Sequence, residues 1–232
     1  MIQARPHVVP LVILASLLAL SGRPAHAVDG RTAYLVRDLD PGEAYESTIA
    51  LDPVATLGNR VLLTAGDPAS GSELWVTDGT GVGTRLLVDA CPGSCSSVIR
   101  VLGTLGGKTI WAAAPTDRFG SASRSWRLWI TDGTRAGTRP LTEPGALPDD
   151  PEEETFAFAG GRLYFAGCTT ADSCGLWTTD GTPEGTGPVP GLASTHGRPS
   201  QLTAVGDRVF FNAFNELWVS DGSGPGSVRL KS

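Results

Sequence analysis

Lysine occurs only twice in this 232-residue sequence, methionine once and tyrosine three times, and charged residues of every kind reach only 18%. Bases are outnumbered by acids, 18 to 24, for a net charge of −6. Neither a phosphate backbone nor an anionic membrane surface is attracted to such a chain, so no nucleic-acid partner is expected. The 30 Gly and 17 Pro, the poorest helix formers, together with only two Lys, disfavour long amphipathic helices. Beyond the first 20 residues no apolar run approaches the length needed to cross a bilayer, so no membrane insertion is expected once the leader is removed. Apolar residues nevertheless make up 41%, enough for a packed core and too many for a disordered chain.

Residues 1–27 have the three parts of a secretory signal. Arg5 supplies the positive start, Val8 to Leu20 the short apolar run, and Ala25-His26-Ala27 the small residues flanking a cleavage site. No cysteine follows the run to take a lipid. The leader carries Arg5 and Arg23 and no acid, so residues 28–232 hold 16 bases against 24 acids, a net charge of −8. Export to the periplasm, cell surface or medium is the expectation.

Export makes the four cysteines legible. They fall as Cys91-x3-Cys95 and Cys168-x5-Cys174. An even number in tight pairs reads as disulfides in an oxidising compartment, and of three connectivities the two local ones are favoured. A zinc site fits less well, because its usual C-x2-C spacing and a nearby histidine are both missing.

Self-similarity is the strongest signal. The segment Glu73-Leu74-Trp75-Val76-Thr77-Asp78-Gly79-Thr80 returns around Trp129-Ile130-Thr131-Asp132, Trp177-Thr178-Thr179-Asp180 and Trp218-Val219-Ser220-Asp221. A hairpin dipeptide precedes each tryptophan: Gly58-Asn59, Gly106-Gly107, Gly160-Gly161 and Gly206-Asp207. Pro-Gly recurs at Pro41-Gly42, Pro92-Gly93, Pro144-Gly145 and Pro190-Gly191. Each unit reads as four short strands, a to d, with a two-residue a–b turn and an Asp-Gly-Thr c–d turn. Strands b and d are apolar on successive residues, so both sheet faces are covered. The expected fold is all-β: a propeller-like array of four four-stranded antiparallel blades over residues 28–232. The approximate repeats are 43–89, 94–142, 146–189 and 192–231. Ala33 to Asp38 forms an extra N-terminal strand of type d. Because Ser227 to Lys231 has the same character, one of the two is surplus, free to add to a sheet edge or to mediate self-association.

The Glu-Leu-Trp-x-x-Asp-Gly-Thr copies, followed by Gly83-Thr84, Gly137-Thr138 and Gly185-Thr186, resemble the ELWxxDGT repeat family of exported bacterial proteins. The resemblance spans nearly all of residues 28–232. It implies a β-propeller-like array in a secreted or surface protein of undefined biochemical activity. The last copy departs from the pattern, with Ser223 and Gly226-Ser227 in place of both threonines, and family members often carry more repeats.

Catalytic signatures are missing. His196 is the one histidine after the leader, in a loop with no marked nucleophile beside it. No Gly-x-Ser-x-Gly, His-Glu-x-x-His or P-loop occurs. A sialidase-like reading needs a tyrosine among converging arginines, and only Tyr34, Tyr45 and Tyr164 exist, the last in a core-like strand. Asp78, Asp132, Asp180 and Asp221 could in principle ring a calcium ion, but one carboxylate per turn leaves it short of oxygens, so they read as turn residues and no cofactor is expected. Trp75, Trp129, Trp177 and Trp218 read as packing between blades.

In an up-and-down meander the a–b and c–d turns share one end, and the variable b–c and d–a loops share the other. Variable loops on a rigid frame are where recognition is usually placed. The candidate binding face there comprises Arg118, Phe119, Arg124, Trp126, Asp149, Asp150 and His196, with Arg and Trp as the anchors. The sequence thus reads as a non-enzymatic module that binds a protein or glycan. The alternatives are a propeller-scaffold hydrolase or lyase acting on glycans, and a structural cell-surface module.

Overall fold

The computed structural model describes Val36 and residues 52–116, 121–123, 125–147, 151, 153–170, 173–192, 198–213 and 215–231. The leader lies outside these residues, as does the N-terminal strand apart from Val36. The described chain is all-β, with one 3-10 turn at Glu153–Thr155. Blade 1 contains β1 (Asp52–Leu57), β2 (Arg60–Asp67), β3 (Gly71–Thr77) and β4 (Arg85–Val88). Blade 2 contains β5 (Ser97–Leu105), β6 (Lys108–Pro115), β7 (Arg127–Thr131) and β8 (Arg139–Pro140). Blade 3 is β9 (Phe156–Ala159), β10 (Arg162–Thr170), β11 (Ser173–Thr179) and β12 (Gly187–Pro188). Blade 4 is β13 (Ser200–Val205), β14 (Arg208–Ala213), β15 (Glu216–Ser220) and β16 (Val228–Lys231). Each forms a separate four-stranded antiparallel sheet in simple sequence order, as the repeat markers predict.

The turn chemistry explains the meander. Gly106-Gly107 and Gly160-Gly161 both have positive φ throughout, the pattern of a type I′ turn. At Gly58-Asn59 and Gly206-Asp207 only the glycine does, as type II′ requires. All these turns twist with the strands they join.

Register divides each sheet into two faces. Leu62 pairs with Val76, and Thr64 with Leu74, on what we call the forward face of blade 1; Leu63 pairs with Trp75 on its rear face. Three apolar clusters then hold the blades in line. Leu62, Leu74, Val76 and Leu87 meet Ile99, Trp111, Ala113 and Trp129 of blade 2. The forward face of blade 2 (Ile110, Ala112, Leu128, Ile130) meets Leu163, Phe165 and Trp177 of blade 3. Tyr164 and Leu176 meet Val209, Phe211 and Trp218 of blade 4. Each contact puts aliphatic side chains against a cross-strand aromatic pair. Trp111 stacks on Trp129 at 5.2 Å and Phe211 on Trp218 at 6.4 Å, while Phe165 and Trp177 sit tilted at 6.0 Å. Burying one such side chain contributes about 1.5–3 kcal/mol, so these clusters dominate the stability of the array.

Among the described residues, no such cover lies on the forward face of blade 4. Leu217 is 45% exposed, although its equivalents Leu74, Leu128 and Leu176 are fully buried. Val205, Val228 and Leu230 are exposed beside it. Blade 4 supplies its own strand d, because β16 pairs with β15. At the other end, a Cβ on Gly81 would lie 2.9 Å from the Val36 carbonyl, much as one on the equivalent Gly224 would lie 3.2 Å from the Pro190 carbonyl. Val36 therefore stands to blade 1 as the exit of strand d of blade 3 stands to blade 4.

Candidate functional site

Two ends with different chemistry result from this topology. At the turn end, the c–d connections are copies at atomic detail. In blade 2, Asp132 Oδ1 accepts from the Thr134 amide at 2.8 Å and from the Thr134 hydroxyl at 2.6 Å. Thr134 Oγ1 accepts from the Gly137 amide at 2.9 Å, and the Thr138 hydroxyl donates to the Thr134 carbonyl at 2.6 Å. Thr131 Oγ1 accepts from the Gly133 amide and bonds to Thr138 Oγ1 at 2.7 Å. Blades 1 and 3 repeat the set around Asp78 and Asp180. Blade 4 repeats it around Asp221 with Ser220, Ser223 and Ser227, so its departure from the motif keeps every hydroxyl and drops only methyl groups.

The same network fixes the second glycine. A Cβ on Gly83, Gly137, Gly185 or Gly226 would overlap the carboxylate of its own turn's aspartate. Hydrogen bonds from the threonine or serine two residues on, first through the hydroxyl and then through the amide, hold all four aspartates below the usual carboxylate range. Among the described residues, no three His, Cys, Asp or Glu side chains come together as metal ligands.

The opposite end carries loops of unequal length. The b–c connections span residues 68–70, 116–126, 171–172 and 214–215, and the d–a connections 89–96, 141–155 and 189–199. Both expected disulfides form there, Cys91 with Cys95 and Cys168 with Cys174, at Cα separations of 5.4 and 3.9 Å. The loop leaving blade 1 touches the start of β3: the Ser72 amide donates to Ser96 Oγ at 2.9 Å, and a side chain on Gly71 would strike the Cys95 carbonyl.

Of the proposed binding residues, Arg118, Phe119, Arg124, Asp149, Asp150 and His196 lie outside the described residues. Trp126 is described, and it corrects the expectation of an open anchor. It is 2% exposed. The Trp126 carbonyl accepts from the Gly145 amide at 3.0 Å, its strand bridges Leu147, and the Arg100 guanidinium lies 5.9 Å from the ring centroid. Trp126 itself meets the next d–a loop, so the indole joins the core between blades 2 and 3 and presents no stacking face. Trp75, Trp129 and Trp218 are buried, and Trp177 partly so, at the packing positions expected of them.

Two features escaped the sequence reading. Glu73, the first residue of the repeated segment, is fully buried and accepts from the Ala90 and Cys91 amides at 3.1 and 3.2 Å and from the Ser97 hydroxyl at 2.7 Å. It pins the disulfide loop to strand c of blade 1. Burial pushes its carboxyl up to about 7 against the pull of those three donors. In blade 2 the equivalent Arg127 holds the corresponding loop by donating to the Thr142 carbonyl at 2.6 Å. The second feature is a base opening strand b in every blade, Arg60, Lys108, Arg162 and Arg208, each acting electrostatically on the aspartate of its own c–d turn. Its position directly after the hairpin dipeptide was the available signal.

No protein-family model matches the chain, and no curated protein matches it. Among solved structures it is similar to the tricorn protease, at 14% identity and a TM-score of 0.36, over 78% of this chain and 18% of that one. A puromycin-hydrolyzing peptidase of Mycobacterium tuberculosis gives 16% identity and a TM-score of 0.42, over 78% and 28% respectively. A family 117 glycoside hydrolase from the marine bacterium Zobellia galactanivorans gives 12% and 0.31, over 81% and 72%. The chain thus spans between about a fifth and a third of the two peptidases. At these scores the fold rests on the sheets and clusters described above.

Proposed function

We propose that this chain is an exported, non-enzymatic binding module that recognises a protein or glycan through the end bearing the b–c and d–a loops. The observation that carries the reading is the contrast between the two ends. Four c–d turns keep one length and one hydrogen-bond network, whereas the loops opposite range from two residues to fifteen. A frame held constant at one end and varied at the other suits recognition. Two disulfides at the variable end support both the binding role and an oxidising compartment.

A glycan array probed with residues 28–232 tests this, with Arg124→Ala and Arg118→Ala as controls. The expected result is retention of a glycan unchanged in mass, weakened by either substitution while the Tm stays constant. Release of shortened glycan would instead identify a hydrolase or lyase. Assembly of the free protein into extended polymers, with no glycan or protein retained, would favour the structural module.

A further inference from the structure

The junction of blades 3 and 4 differs from the other two at the turn end. In the first junction, Arg60 reaches across to donate to the Gly133 carbonyl at 3.1 Å, and a Cβ on Gly133 would meet Leu57 at 3.2 Å. In the second, a Cβ on Gly181 would meet Ile130 at 2.9 Å and Leu105 at 3.5 Å. At the third, smaller residues replace these: Ala159 stands where Leu57 and Leu105 stand, and Thr178 where Ile130 stands. Tyr164 occupies the position of Leu62 and Ile110. A cleft of about 530 Å³ opens there, lined by Gly160, Arg162 and Tyr164 of blade 3 and by Asp207, Asp221 and Gly222 of blade 4, with Ser223 behind.

Two of its lining side chains, Tyr164 and Arg162, make no hydrogen bond among the described residues, whereas Asp221 accepts from Ser223. Tyr164 is 1% exposed, lines the cleft, and makes no hydrogen bond among the described residues. Its hydroxyl lies under the turn of blade 4, 2.8 Å from where a Cβ on Gly222 would fall. Directly across the sheet on the same face, Thr178, which is not among the lining residues, carries a buried hydroxyl with no partner among the described residues. Arg162, unlike Arg60, makes no hydrogen bond or ion pair among the described residues. A donor such as the Tyr164 hydroxyl or the Arg162 guanidinium, facing a cleft without a protein partner, is open to one supplied by a ligand.

We propose that this cleft is a binding site for a neutral saccharide of one or two rings, separate from the loop-end face. Sugar hydroxyls both donate and accept, so one ligand can serve the Arg162 guanidinium, the Asp207 and Asp221 carboxylates and the Tyr164 hydroxyl together. An anion such as phosphate meets two carboxylates against a single arginine and is repelled. An apolar ligand leaves the Arg162 guanidinium and the Tyr164 hydroxyl unpaired. The volume lies within the range of small-ligand pockets. Burial also holds the Tyr164 phenol above its ordinary range, so the group stays protonated and able to donate at any physiological pH.

The test is an amide and arginine side-chain NMR titration of residues 28–232. The probes are glucose, galactose, N-acetylglucosamine, maltose and cellobiose, with inorganic phosphate and calcium chloride as comparators. The expected result is a saturable shift with at least one saccharide, confined to residues 160–164, 207 and 221–223. Tyr164→Phe should weaken it about tenfold, and Asp207→Asn, on an exposed turn, should weaken it without altering the fold. Four outcomes would overturn the proposal: no saturable shift at about 50 mM saccharide, a response to phosphate or calcium alone, unchanged affinity in both variants, or shifts confined to the loop end. The last would leave the loop-end reading standing, whereas a cleft response with no loop-end ligand on the array would leave only the present inference.

Discussion

A single hydrogen decides the fate of the glycine five residues after each turn aspartate. Gly185 packs against the Asp180 carboxylate so closely that an added methyl group overlaps it. Its φ is not positive, so the cost of a substitution is contact alone. Gly185→Ala should therefore cost about 2–3 kcal/mol in urea unfolding, whereas Gly187→Ala, with open space around it, should stay within about 0.5 kcal/mol. Adding Asp180→Ala to Gly185→Ala should recover part of the loss, so that the double variant is milder than the sum of the singles. Glu73 gives a second prediction at this scale. Its folded value near 7 exceeds the unfolded 4.5, so the folded protein keeps an extra proton between the two. That share of stability is complete below 4.5 and is lost as pH rises to about 7. Thermal melts from pH 4 to 8 should show this decline in the wild type and a flatter profile in Glu73→Gln. A steeper decline in the variant would contradict the assignment.

At the scale of the element, the strands were legible because turn chemistry punctuates them. The glycine pairs, Pro-Gly and Asp-Gly-Thr fix where each strand stops, and Gly93, Gly145 and Gly191 adopt the positive φ that Pro-Gly turns require. Less legible was anything set by contacts between loops. Trp126 reads in sequence as the end of a long exposed insertion, yet it bridges Leu147, which lies in a d–a connection. No local pattern encodes that pairing. The cleft between blades 3 and 4 was hidden for a related reason. It arises from Ala159, Thr178 and Tyr164 together, three departures from the other repeats that are each unremarkable alone. Tyr164 does belong to the core, as its place in strand b implied, but its hydroxyl reaches the surface of the junction. The disulfides make this scale testable. Cys168 and Cys174 are direct cross-strand partners in β10 and β11. Replacing both by serine should cost about 2 kcal/mol and should raise amide exchange in that hairpin, leaving the c–d turns protected.

For the whole molecule, blade stacking follows one rule: a forward face, aliphatic except at Tyr164 of blade 3, meets the aromatic rear face of the next blade. Three junctions obey it, and among the described residues nothing covers the forward face of blade 4. Repeat count and blade order were readable from the sequence, because each marker recurs in step. Whether the array closed was not, because two segments had the character of strand d. The structure gives β16 to blade 4 and sets the Val36 carbonyl against the blade 1 turn. A lysine at an equivalent position should therefore have unequal effects. Leu217→Lys should shift stability by less than about 0.5 kcal/mol, whereas Leu128→Lys should cost more than about 4 kcal/mol or prevent folding.

Native-state thiol labelling of Leu74→Cys, Leu128→Cys, Leu176→Cys and Leu217→Cys, one at a time, tests the stacking itself. The described native cysteines are all disulfide-bonded, so only the introduced thiol reacts. The account predicts rapid labelling at position 217 and protection at the other three until the protein unfolds. Equal labelling at all four, or protection at 217 to the same degree as the rest, would contradict an ordered array whose last forward face is uncovered.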